Sequence, residues 1–83
     1  MIFSATIQIM PLKALLDPQG KAVSASMKNL NLMAIENVRI GKNITLQVTA
    51  GNETEAHALV TEACKKLLAN PIMEEFEITL KAV

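Results

Sequence analysis

His57 and Cys64 are the single histidine and single cysteine of the chain, and a thiol held beside an imidazole is a recurring way to make a nucleophile. Their spacing argues against it. On a helix they share one stripe, but the rise separates them by about 10 Å, too far for one to take the other's proton. Cys64 is expected as a small core residue and His57 as a flanking surface residue. A metal centre would need two close cysteines or a His/Cys cluster, which these two residues do not make. Glu74, Glu75 and Glu77 form an acidic cluster, yet strand alternation sends Glu74 to the side opposite the other two, and a charged face is the simpler reading. Gly20 and Gly41 each invite a phosphate-cradle reading, but neither lies in a glycine-rich loop. No catalytic, cofactor-binding or metal-binding residue is assigned to the chain.

The elements that carry these residues are short and apolar. At 83 residues the chain reads as one domain over residues 1–83, and a domain of this size buries only about 60–65% of its extended-chain surface. Yet 51% of its residues are hydrophobic, which suggests that a partner covers part of the apolar surface. With two Phe and no Trp or Tyr, the core must be built from Ile, Leu, Val, Met and Ala. Base stacking on an open sheet needs aromatic residues and a basic surface. Eight basic and eight acidic residues cancel, so nothing draws the chain to nucleic acid or to a membrane. The lone cysteine leaves no internal disulfide and favours a reducing compartment. No apolar run approaches the ~18 residues of a membrane span, and the N-terminus lacks a signal-peptide pattern. A cytoplasmic location is expected.

Phe3, Ala5, Ile7 and Ile9 alternate with polar residues, the period of a half-buried first strand. Pro11 ends it, and Leu12 to Leu16 form a short crossing. Asp17 then caps a helix with Pro18 at its first position. Ala22, Val23, Met27 and Leu30 stand at core spacing, and Asn31 is a plausible left-handed stop. A second strand holds Val38 and Ile40 inward, and Gly41-Lys42-Asn43 turns into a third with Ile44, Leu46, Val48 and Ala50 alternating. Asn52 opens a second helix with Glu55 completing a capping box. Its apolar face is Ala56, Leu59, Val60, Ala63, Cys64, Leu67 and Leu68, and Asn70-Pro71 stops it. The last strand places Phe76, Ile78 and Leu80 on one face. The order βαββαβ predicts an α+β, ferredoxin-like domain: a four-stranded antiparallel sheet with both helices on one face.

The opposite face would show Thr6, Gln8, Arg39, Thr45, Gln47, Thr49, Glu77 and Thr79. These are mostly neutral polar side chains, read equally as a solvated sheet or as a surface packed on another subunit, where they are buried if hydrogen-bonded. Three segments carry more specification than a local fold requires. The first is Leu16-Asp17-Pro18-Gln19-Gly20-Lys21-Ala22-Val23, with a glycine in the first turn of a helix at a cost of roughly 1 kcal/mol against alanine. The others are Val38-Arg39-Ile40-Gly41-Lys42 and Leu67-Leu68-Ala69-Asn70-Pro71.

In these three segments, the last taken back to include Cys64-Lys65-Lys66, and in their order and spacing, the chain resembles the PurS family, the small subunits of bacterial and archaeal phosphoribosylformylglycinamidine synthase. The resemblance covers nearly the whole chain; Asn31 stands where family members usually have Gly, which keeps the backbone logic. It implies a ligase subunit in the fourth step of purine biosynthesis. A glutaminase subunit releases ammonia, and a large synthetase subunit uses ATP and Mg to convert formylglycinamide ribonucleotide to the amidine. The small subunit has no active site; it forms a homodimer or dimer of dimers, bridges the other two and assists ammonia transfer. Asp17, Pro18, Gln19, Gly20, Lys21, Arg39, Gly41, Lys42, Asn70 and Pro71 are the expected partner interface. Gly20 would let a neighbouring backbone approach the helix, and Arg39 and Lys42 would pair with carboxylates or bound phosphate.

A second reading of the same element order is a ligand-sensing regulatory domain of the amino-acid-binding (ACT-like) type. Against it, no fused catalytic domain is expected from the sequence, which also offers no clear pair of charges for an amino-acid ligand. A thermal shift with amino acids and none with partner subunits would favour it.

Overall fold

The structure, a computed structural model, describes residues 1–13 and 17–83; most of the expected Leu12–Leu16 crossing lies outside the described residues. Strand β1 (Ile2–Pro11) precedes helix α1 (Pro18–Asn29), strand β2 (Lys42–Thr49), helix α2 (Glu53–Ala63) and strand β3 (Glu74–Ala82). The three strands form an antiparallel sheet in the order β2-β1-β3.

β1 takes the centre because its inward positions can be wholly enclosed. Phe3, Ala5, Ile7 and Ile9 are all buried, each side chain flanked by a strand on both sides and roofed by α2. At Ile7 and Ile9 that burial contributes on the order of 1.5–3 kcal/mol apiece. α2 supplies the roof through Ala56, Val60 and Cys64, and Ala69 closes the end of the same core. The inward residues of the outer strands (Ile44, Leu46, Val48, Phe76, Ile78 and Leu80) pack against this core but stay half-buried.

Both helix starts are built as their sequences require. The Asp17 side chain accepts from the Gly20 N–H at 2.9 Å, and the Asn52 side chain accepts from the Glu55 N–H at 2.8 Å. Glu55 completes its box one residue early, accepting from the Gly51 N–H at 3.3 Å. Asn31 follows α1 at φ 62°, and Asn37 at φ 59° makes a second reversal that the sequence reading missed; Asn tolerates this region better than most residues.

The end of α2 departs from regularity. Residues Cys64–Leu68 form a π-helical turn, closed by the Ala69 N–H donating to the Cys64 carbonyl at 2.9 Å. The wider turn shifts the helical phase of its own residues. Leu67, expected on the apolar face, is therefore 82% exposed, and Leu59 is also exposed.

Two expectations are corrected among the described residues. The sheet has three strands, because Val38 to Gly41 enter no ladder; Lys42 and Asn43 open β2 instead of making a turn. Nor do both helices cover one face: α2 packs on all three strands, while α1 does not pack on the sheet. The reason lies in residues 30–41. They run back along α1, with the Val38 N–H donating to Ser24 Oγ at 3.2 Å and the Ile40 N–H donating to Asp17 Oδ2 at 3.0 Å. α1 and this return segment form an arm that projects from one end of the sheet. The molecule is accordingly long and thin, 52 × 26 × 14 Å with a radius of gyration of 16.4 Å, against about 12 Å for a compact chain of this length. Leu30 and Met33 on the arm are each 67% exposed, with Leu32 and Ile35 exposed beside them. The outer edge of β2 carries no strand partner among the described residues.

Candidate functional site

The three over-specified segments lie far apart in the chain and meet in one place. A cavity of about 420 Å³ at the base of the arm is lined by Pro11, Asp17, Pro18, Gln19, Ile40, Gly41, Lys42, Asn70, Met73 and Glu74. The end of β1, the start of α1, the entry to β2 and the turn before β3 each give a wall. Six of the ten expected interface residues are here: Asp17, Pro18, Gln19, Gly41, Lys42 and Asn70. Lys21 and Arg39 line a neighbouring open groove together with Lys13, Lys28 and Glu36. Pro71 is exposed beside the cavity without lining it.

Asp17 organises this region. Its two oxygens accept from the first turn of α1 and from the return segment. Those backbone N–H groups, Gly20 first and then Ile40, hold its carboxyl below the ordinary carboxylate value, since they favour the charged form. Arg39, expected on the open sheet face, instead donates from its guanidinium to the Pro11 carbonyl and pins the arm to the end of β1.

The two glycines have internal reasons. A Cβ on Gly20 would press into the Val38 carbonyl and the Asp17 carboxylate, and one on Gly41 into the Ile9 carbonyl and the Met10 sulfur. The backbone that approaches Gly20 is thus the chain's own, crossing the first turn of the helix.

Glu74 was missed as a site residue, although it carries a signal. It occupies the inward phase of β3, in step with Phe76 and Ile78, where a carboxylate needs a partner. It finds two: it accepts from the Asn70 N–H at 2.8 Å and lies 3.6 Å from Lys42 Nζ. Asn70 in turn accepts from the Ile72 N–H at 3.1 Å, which folds the 70–73 turn over the cavity. Pro11, Ile40 and Met73 add apolar wall.

The charged groups of the cavity are therefore engaged within the chain, Asp17 by backbone and Lys42 by Glu74. What they leave is a shaped recess with a largely apolar surface, suited to receiving a protein side chain rather than to moving protons. Cys64 and His57 lie elsewhere. Cys64 is buried under α2, and burial pushes its thiol up. His57 is exposed, with the Thr61 hydroxyl 3.3 Å from its Nδ1.

Residues 4–82 match the family model PurS: Phosphoribosylformylglycinamidine (FGAM) synthase. The chain is 31% identical over 77 residues to phosphoribosylformylglycinamidine synthase subunit PurS of Thermotoga maritima, covering 93% of this chain and 94% of that one. It is 30% identical over 82 residues to the subunit of the same name in Methanocaldococcus jannaschii, covering 99% of each. Among solved structures, the crystal structure of M. jannaschii PurS is similar with a TM-score of 0.87 at 31% identity over 98% of both chains. A chain in the structure of PurLQS from T. maritima is similar with a TM-score of 0.89 at 30% identity, over 98% of this chain and 99% of that one. Coverage this complete includes the arm.

Proposed function

Since the chain belongs to the PurS family and is a subunit of phosphoribosylformylglycinamidine synthase, an enzyme complex of purine biosynthesis, we propose that it works by holding its companions in place and makes no bond itself. Its place is between the glutaminase subunit, which frees ammonia from glutamine, and the large synthetase subunit. There ATP and Mg support conversion of formylglycinamide ribonucleotide to the amidine. Ammonia released into water is protonated and loses its nucleophilic lone pair, so a rigid bridge that keeps the two enzymes in register assists the transfer.

The convergence of three separate segments on one mainly apolar recess carries this reading. Its charged groups, Asp17, Lys42 and Glu74, are engaged within the chain, so a docked side chain displaces water without leaving a charge unpaired. Asp17, Pro18, Gln19, Gly41, Lys42 and Asn70 are the residues assigned to docking. Gly20 shapes the helix start beneath them, and Lys21, Arg39 and Pro71 flank the contact.

The chain acts as a homodimer. Each copy has an arm with an apolar side that its own sheet does not cover, and a β2 edge with no strand beside it among the described residues. The two defects are complementary. The arm of one copy laid on the β2 side of another supplies a second helix and a fourth strand, which restores the ferredoxin-like βαββαβ layout expected from the sequence. Exchange of this kind is reciprocal and closes at two copies. Charge agrees: residues 12–42 carry five basic against two acidic residues, and residues 43–83 three basic against six acidic.

Reconstitution from separate subunits tests the bridge. Glutamine-dependent amidine formation requires this chain, whereas the synthetase supplied with ammonium salt works without it; equal glutamine-dependent rates with and without the chain would overturn the reading. Leu30→Asp, at an exposed arm position, should halve the sedimenting mass of the dimer while the folded chain persists.

A further inference from the structure

The open groove beside the recess gathers cations that the chain itself does not pair. Its volume is about 740 Å³, and it brings Lys13, Lys21, Lys28 and Arg39 together against the carboxylates of Asp17 and Glu36. Asp17 is already engaged by the Gly20 and Ile40 N–H groups. The ion pairs among the described residues, Lys42–Glu74 and Lys66–Glu62, both lie outside the groove. Arg39 commits one guanidinium donor to the Pro11 carbonyl and keeps the others. In a chain whose charges cancel, cations gathered in this way repel one another until an anion joins them.

Helical phase places them. Lys21, Ser24, Ala25 and Lys28 follow at steps of three and four residues, so they share one side of α1, and the rise sets the two lysines about 10 Å apart. Val23 and Met27 fall on the other side, so a cover over the apolar side leaves the lysines open. The return segment makes the facing wall. There the Val38 N–H donates to Ser24 Oγ, and that hydroxyl keeps its own hydrogen to donate. Glu36 and Asn37 add a carboxylate and an amide. This lining selects among anions. An acidic peptide needs apolar seats beside its charges, and the groove offers only Ala25 and Val38. An anionic membrane needs an apolar face next to the lysines, and that face is turned away. A phosphate ester of a sugar uses the whole set: its phosphate takes the cationic donors, and its hydroxyls take Glu36, Asn37 and Ser24.

We propose that this groove binds a phosphorylated sugar, free or as part of a nucleotide, with its phosphate among Lys13, Lys21, Lys28 and Arg39 and its hydroxyls on Glu36 and Asn37. The site is distinct from the docking recess, with which it shares the Asp17 wall, and it does not rest on the docking reading. No bond is made or broken there. The ligand touches both limbs of the arm, so its effect is to hold α1 and the return segment together. The Val38 amide, which joins the two limbs, reports that stiffening through slower hydrogen exchange.

Calorimetric titration of the purified chain at low salt tests it with ribose 5-phosphate, ATP without magnesium, inorganic phosphate and a hexaglutamate peptide. At least one of the two esters should saturate one site per chain with a Kd below about 1 mM, and inorganic phosphate should bind more weakly. Lys21→Glu combined with Lys28→Glu should raise the ester's Kd about tenfold or more. Lys65→Glu combined with Lys81→Glu changes the net charge equally from outside the groove and should stay within about threefold. Glu36→Ala should remove the ester's advantage over inorganic phosphate, and circular dichroism checks that each variant folds. No saturable ester binding, tighter binding of hexaglutamate, or equal losses in the two double variants overturns the proposal. Met73→Arg, in the recess, should leave the ester's Kd within about twofold, so the groove and the recess fail separately.

Discussion

Asp17 and Ile40 are joined by one hydrogen bond across 23 residues of chain, the Ile40 N–H donating to Asp17 Oδ2 at 3.0 Å. The other oxygen of the same carboxylate caps α1. One side chain therefore starts the helix and fastens the segment that returns along it, so the arm's two limbs share a fixed root beside the docking recess.

That root is pH-sensitive in a defined direction. The folded Asp17 carboxyl lies below its ordinary 3.8 because Gly20 and Ile40 donate to its charged form. As pH falls, the unfolded chain takes up this proton first. The contribution is thus complete above the ordinary carboxylate range and is lost as pH falls through the folded value. Asp17→Asn keeps one acceptor and does not titrate, so its urea midpoint should trail the wild type at neutral pH and converge with it in acid. Hydrogen exchange at the Ile40 amide should speed up in the same variant. A constant gap at all pH values would remove the clasp from the account.

Gly20→Ala and Gly51→Ala differ in cost for a geometric reason. At Gly20 the new methyl meets backbone that is tied down on both sides, whereas at Gly51 it meets the end of the Glu55 side chain at 3.1 Å. Overpacking against fixed backbone costs about 1–3 kcal/mol. Urea unfolding should show that loss at Gly20 and a change within about 0.5 kcal/mol at Gly51.

Met73 is 53% exposed and lines the recess. Met73→Arg should fill the recess with charge while leaving the core untouched. The melting temperature should hold while affinity for the synthetase subunit, measured by calorimetry, falls about tenfold or more. Unchanged affinity would move the docking site elsewhere.

Cys64 reports on the core. It is wholly buried among Ile7, Ile9 and Val60, and desolvation raises its thiol. Alkylation should be slower than in denaturant by a factor of about a hundred or more, and should accelerate with the global unfolding transition. Fast labelling of the native chain would mean that α2 lifts locally.

The strands were legible because alternation records burial directly. Phe3, Ala5, Ile7 and Ile9, and Phe76, Ile78 and Leu80, fall on the inward face as read. Both caps were legible, since Asp17 and Asn52 act within three residues of themselves. The position of α1 was not. Periodicity in Val23, Met27 and Leu30 marks an apolar side but not whose sheet covers it, and Val38 and Ile40 look the same whether they pair or run along a helix. Leu67 was misplaced because nothing local announces the wide turn at Cys64. The docking residues were found as segments rather than as a site; Glu74, which ties Asn70 to Lys42, emerged only when the turn before β3 was seen folding over them.

The bare margin of β2 has a cost when the chain is made alone. Ile44, Leu46 and Val48 alternate there with uncharged Thr45 and Gln47, and an unguarded strand of that kind templates further copies of itself. A copy without its dimer partner is thus open to strand addition, and arm exchange, by laying a strand along that margin, removes the hazard.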